Sequence, residues 1–236
     1  MLGPLSGGRA RAAVALGTAT AALALVAAAP AQHAHRAAPA ATHQHHPAAS
    51  AAATPRTDRA ARLHDGMRKL WEDHITWTRL AIVSFAAGLP DLPATQDRLL
   101  ANQADIAAAI RPYYGRAAER RLRSLLREHI TGAVALLTAA KGGDTAALGR
   151  ARTAWYANAN EIADFLSGAN PRNWPRGEMR AMMKTHLDET LKEAVDRLSG
   201  RFAADVRDYE AVHRSILEVA DMLSDGIIAQ FPERFR

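Results

Sequence analysis

Residues 116–140, RAAERRLRSLLREHITGAVALLTAA, decide the fold. Leu122, Leu125, Leu126, His129, Ala133 and Leu136 recur at steps of three and four. At about 100° per residue that spacing lines them up on one face of an α-helix. Arg116, Arg120, Arg123 and Arg127 take the opposite face, where Glu119 and Glu128 offset their charge, so this side reads as solvated. Gly142-Gly143 closes the stretch, as glycine just past the last periodic residue commonly does.

The same reading extends in both directions. Periodic apolar runs predict helices over 58–87, 94–110, 116–140, 145–168, 175–199 and 202–230. Gly88 and the turn Leu89-Pro90-Asp91-Leu92-Pro93 end the first. The second stops before Pro112, because proline lacks the N–H that would continue it. Asp144 caps the fourth, Asn170-Pro171 closes it, Pro175 opens the fifth, Gly200 ends that one, and Pro232 follows the sixth. No alternating run of β-branched residues competes with this pattern. Short connections make neighbours antiparallel. The expected fold class is therefore all-α, an up-down antiparallel bundle of four to five long helices plus one shorter helix, over residues 57–236.

Composition narrows the chemistry. The chain has 236 residues, 48% hydrophobic but only 6% aromatic, and no Cys, which excludes disulfides, thiolate metal sites and iron–sulfur clusters. Its formal charge is +6, with two of those charges from Arg9 and Arg11, and this mild excess does not point to nucleic acid. Gly-rich phosphate loops, nucleophile elbows and kinase signatures are absent, so no nucleotide or flavin is expected.

The N-terminus reads as a targeting segment. Arg9 and Arg11 form a basic start, residues 12–29 are uncharged and rich in Ala, Leu and Val, and Ala29-Pro30-Ala31 offers small residues at the spacing of a cleavage site. Residues 1–31 are expected to be a signal peptide and the protein extracytoplasmic, secreted or in the cell envelope. The alternative is an uncleaved anchor. Residues 32–56, rich in Ala, Pro and His, hold no large apolar side chain and are expected to be a disordered leader. His33, His35, His43, His45 and His46 make that leader either a polar spacer or a metal-scavenging tail.

Histidines on the apolar stripes carry the functional expectation. His74 shares its face with Met67, Trp71, Thr78, Ala81 and Phe85; His186 lies with Met179, Met182, Met183 and Thr190. His129 sits among leucines, His213 among Val206, Tyr209, Ile216, Leu217 and Ala220, and Asn158 beside Trp155 and Ile162. Each is near the middle of its helix. Antiparallel helices of similar length bring their middles to one level, so these groups should form one layer.

A metal centre of His74, His129, His186, His213, Asn158 and Met183 is the leading expectation. Thioether and imidazole groups on one helix face favour copper, with zinc or iron as alternatives. Only Glu210-Ala-Val-His213 has the Glu-x-x-His spacing of carboxylate di-iron bundles. A rival is a metal-free binding or structural module whose histidines form a hydrogen-bonded network. A third is an enzyme pairing a histidine with Asp221 or Asp164, with Asp205 and Asp208 as further acid–base candidates. Beyond a metal ion, the expected partner is an unidentified protein or cell-envelope component. Trp71, Trp77, Trp155 and Trp174, with Tyr113, Tyr114 and Tyr156, are expected to close the ends of the bundle.

Four blocks, Trp71-Glu-Asp-His74-Ile-Thr-Trp77-Thr-Arg79, Pro112-Tyr-Tyr-Gly115, Trp155-Tyr-Ala-Asn-Ala159 and Gln230-Phe-Pro232, resemble a group of small bacterial helical-bundle proteins. The resemblance implies one helical domain over residues 67–235 and draws attention to the blocks around His74, His129 and His186. It brings no activity with it.

Overall fold

The first of the described helices begins where Thr57 can cap it: the hydroxyl accepts from the Ala60 N–H at 3.3 Å. The structure is a computed structural model and describes residues 57–236. The expected signal segment and the leader histidines His33, His35, His43, His45 and His46 lie outside the described residues. Helix α1 spans Asp58–Ala87, α2 Leu92–Gly142, α3 Thr145–Ala169, α4 Arg176–Leu198 and α5 Phe202–Gln230, followed by a 3₁₀ turn Pro232–Phe235. Among the described residues there is no strand, and no helix is long and apolar enough to cross a membrane.

One boundary differs from the sequence reading. The helix expected to stop before Pro112 continues past it, and the break falls at Gly115, with φ 82° and ψ 175°. Proline so near a helix end forfeits little, and Arg234 donates to the Pro112 carbonyl at 2.6 Å. Gly115 takes a backbone conformation that a Cβ would strain. There α2 doubles back into two antiparallel arms. Ile110 and Leu122 line one cavity near the fold, while Leu99 and Leu136 line another far from it.

Counting the arms separately, six helical segments run alternately up and down, and α5 returns to pack on α1. The core runs the length of the bundle. Met67, Ile75, Leu125, Ile162, Met179, Leu187, Ile216 and Ile227 are all essentially removed from solvent. At the lower end Tyr113 stacks on Phe235, Tyr114 packs on Phe231 and Trp174, and Asn170 donates to the Gly226 carbonyl.

Two tryptophans expected at the bundle ends sit at mid-height instead. Trp71 and Trp155 flank the histidine layer, because their helices place them three residues before His74 and opposite His129. The α5 stripe is also rotated from the expected one. Val212, Ile216, Val219, Ala220, Leu223 and Ile227 face the core, while Val206 is 53% exposed.

Candidate functional site

The antiparallel register brings the mid-points of α1, both arms of α2, α3 and α4 to one height. His74, His129 and His186 meet there, all buried. The His186 ring lies 5.8 Å from that of His74 and 6.3 Å from that of His129, centroid to centroid. A cavity of about 20 Å³ touches all three, a volume about that of one water, with a wall that is almost wholly apolar. Its remaining lining is apolar or thioether: Trp71, Leu126, Ile162, Leu166, Met182, Met183, Ile216, Val219 and Leu223.

Hydrogen bonds orient two of the rings. Asn158 Nδ2 donates to the Leu125 carbonyl at 3.1 Å, which turns Oδ1 toward His129. Asn158 Oδ1 therefore accepts from His129 Nδ1–H at 3.1 Å, leaving His129 Nε2 with its lone pair. Trp155 stacks on the same ring and donates from Nε1 to the His129 carbonyl. Gln103 Nε2 lies 3.0 Å from His74 Nδ1, and the Leu99 carbonyl and Asn102 Oδ1 compete with that ring for its two hydrogens.

Three polar atoms of this layer are buried without a partner: His186 Nδ1, Gln103 Oε1 and Trp71 Nε1. Such orphans are rare in folded proteins and cost about 1–3 kcal/mol each.

All three imidazoles are held neutral. Burial pushes His74 down to about 3, with His129 adding a smaller like-charge contribution. Burial takes His129 to about 4, partly opposed by its bond to Asn158. His186 is driven well below its ordinary value by burial, then by His74 and His129. No carboxylate lines the cavity. Among the described residues, no group of three or more His, Asp or Glu is placed so that it could hold a metal ion as it stands.

Other expected site residues fall elsewhere. His213 does not line the cavity; it stacks on Tyr209 at 5.8 Å and faces Glu72 at 3.5 Å. Its displacement follows from the rotated stripe of α5. Asn158 supports His129 instead of facing the cavity, and Met183 lines it directly. The carboxylates proposed as acid–base partners are engaged with cations. Asp164 is gripped by Arg176 and Arg180, and Asp221 binds Arg68 at 2.6 Å and His64 at 2.9 Å. Asp208 pairs with Lys192, and Asp205 with Arg79 and Arg197.

Sequence reasoning missed Gln103, although Leu99, Gln103, Ile106 and Ile110 follow a helical stripe that points it inward. It also missed the buried ion network one to two turns above the histidines. There Arg79 donates to Glu193 at 2.9 Å and to both oxygens of Asp205, and both carboxylates are fully buried. Burial lifts Glu193 to about 7 against the opposing pull of Arg79.

No family of known proteins, curated protein or solved structure matches this chain, so the site is read from its own geometry.

Proposed function

We propose that this protein is an exported metal-binding bundle whose centre, His74, His129 and His186, takes a soft monovalent ion, copper(I) ahead of zinc or iron. The observation that carries the reading is His186. Its Nδ1 is buried without a partner, and its ring borders a cavity that two further imidazoles and two thioether side chains also line.

Charge decides between metals. The cost of burying an ion grows with the square of its charge, so a dication costs about four times as much as a monocation. With neutral ligands only and no carboxylate on the wall, the cavity disfavours zinc(II) and iron(II). Imidazole and thioether are ligands that suit copper(I).

Metal–nitrogen bonds of about 2 Å put rings sharing an ion about 5 Å apart, so the layer must contract by roughly 1 Å. His129 offers Nε2 as it stands. His74 can ligate through Nε2 once its proton moves to Nδ1.

The test uses the full chain with His33, His35, His43, His45 and His46 replaced by Ala, so that the leader contributes nothing. Anaerobic titration with copper(I) held by bicinchoninate should load one ion per chain, and His186→Ala should weaken binding at least about 100-fold. Failure of the parent chain to take up copper(I) refutes the reading.

A second reading is a hydrogen-bonded layer completed by buried water. Trp71 Nε1 favours it, since an N–H donor has no use for a cation but can donate to water. That reading gains if the titration shows no uptake.

A further inference from the structure

A second cavity, of about 60 Å³, begins one turn above the histidines, between α1, both arms of α2, α3 and α4. Where one water needs about 10–15 Å³, that volume has room for a chain of about four to six carbon atoms. Ile82, Leu99, Leu136 and Trp155 form its buried wall, and Phe85, Val134 and Leu137 its partly exposed rim. The two threonines on the lining have no hydrogen left to offer. Thr78 and Thr190 donate to the His74 and His186 carbonyls, each at 2.8 Å. Water entering here would give up hydrogen bonds, and hydrocarbon would give up none.

A cation stands at the rim. Lys141 Nζ donates to the Phe85 carbonyl at 2.7 Å and the Ala86 carbonyl at 3.4 Å, and lies 5.0 Å from the centre of the Phe85 ring. An ammonium carries three hydrogens, so one remains for an anion. Gln96, on the lining and partly exposed, adds amide hydrogens that have no partner among the described residues.

We propose that this upper cavity binds a short-chain carboxylate, with its hydrocarbon tail against Leu99, Leu136 and Trp155 and its carboxylate on Lys141. The site is separate from the histidine layer and stands whether or not that layer holds a metal. The apolar wall selects the tail, and Lys141 selects the charge. Volume sets the length: benzene fills a cavity of about 150 Å³, so an aromatic acid is too large for this one.

The test is isothermal calorimetry of the full chain with hexanoate, acetate and 1-hexanol. Hexanoate should bind at one per chain and at least about 10-fold more tightly than acetate, since each buried methylene is worth about 4-fold. Lys141→Gln should weaken hexanoate about 3- to 5-fold and leave 1-hexanol within about 2-fold. Ala133→Leu places a larger side chain on the lining and should abolish binding of both. It should raise Tm, because filling a void stabilises, so the lost binding is not lost folding. Hexanoate binding that is absent, no tighter than acetate, or unchanged in Ala133→Leu overturns the site. Equal affinity of Lys141→Gln and the parent for hexanoate overturns the placement of the carboxylate.

Discussion

Acid should destabilise the protein through its histidine layer. His74, His129 and His186 are neutral in the folded state, with their proton affinities held below the ordinary value of 6.5. Unfolding returns them to that value. Between the folded and unfolded values the unfolded chain binds more protons, so stability is fully present above about pH 6.5 and falls as the pH drops below it. At pH 5, about 1.5 units below the unfolded value, each imidazole loses about 2 kcal/mol, on the order of 6 kcal/mol for the three.

Glu193 works the other way. Its folded value, lifted to about 7 mainly by burial, means that it is protonated more readily in the folded protein. Its contribution is present below the unfolded carboxyl value and lost as pH rises through 7. Acidification from pH 7.5 to 5 therefore returns about 2 kcal/mol, leaving a net loss of about 4 kcal/mol against the 5–15 kcal/mol typical of a folded domain. Urea titrations followed by circular dichroism at both pH values, with a chelator present, measure this. Replacing His74 with Gln should shrink the loss by about 2 kcal/mol. A drop below about 1 kcal/mol, or an equal drop in the variant, would refute the account of the layer as desolvated imidazole.

Two further substitutions probe the frame around the layer. A methyl group at Gly226 would overlap the Trp174 ring, with Cε2 only 2.7 Å away, and Trp174 is fully buried and tied to the Met222 carbonyl. Gly226→Ala should therefore cost about 2–3 kcal/mol and lower Tm by several degrees in calorimetry; an unchanged Tm would show that the ring can move aside. Arg79→Ala strands the fully buried Glu193 and leaves the fully buried Asp205 with Arg197 alone, at 3.4 Å, and should cost about 3–5 kcal/mol by chemical denaturation at pH 8. A loss under about 1 kcal/mol would mean that the network contributes nothing beyond packing.

Most of the fold was legible because helix ends announce themselves locally. Thr57, Asp144 and Pro175 start helices, and Gly88, Gly143 and Gly200 follow their ends, all within reach of a short window. The meeting of His74, His129 and His186 was legible for the same reason: each sits near the middle of a helix of similar length, on its apolar stripe. His213 was misjudged because α5 offers two stripes one residue apart, and Val206, Tyr209 and Leu217 made the wrong one look credible. The buried position of Asp205 was illegible. Its partner Arg79 lies 126 residues away in sequence, and a charged residue on a helix reads as solvated until its counter-ion is known. Gln103 escaped notice because an amide on an apolar stripe gives no hint of which imidazole it will address.

Trp155 lies flat against His129, and Trp71 meets His74 edge-on at 5.6 Å. Indole emission responds to charge on a neighbouring imidazole and to a nearby ion. The protein thus carries its own optical probe at its centre. Whatever arrives there, proton or metal, should change the light from these two residues before it changes the shape of the molecule.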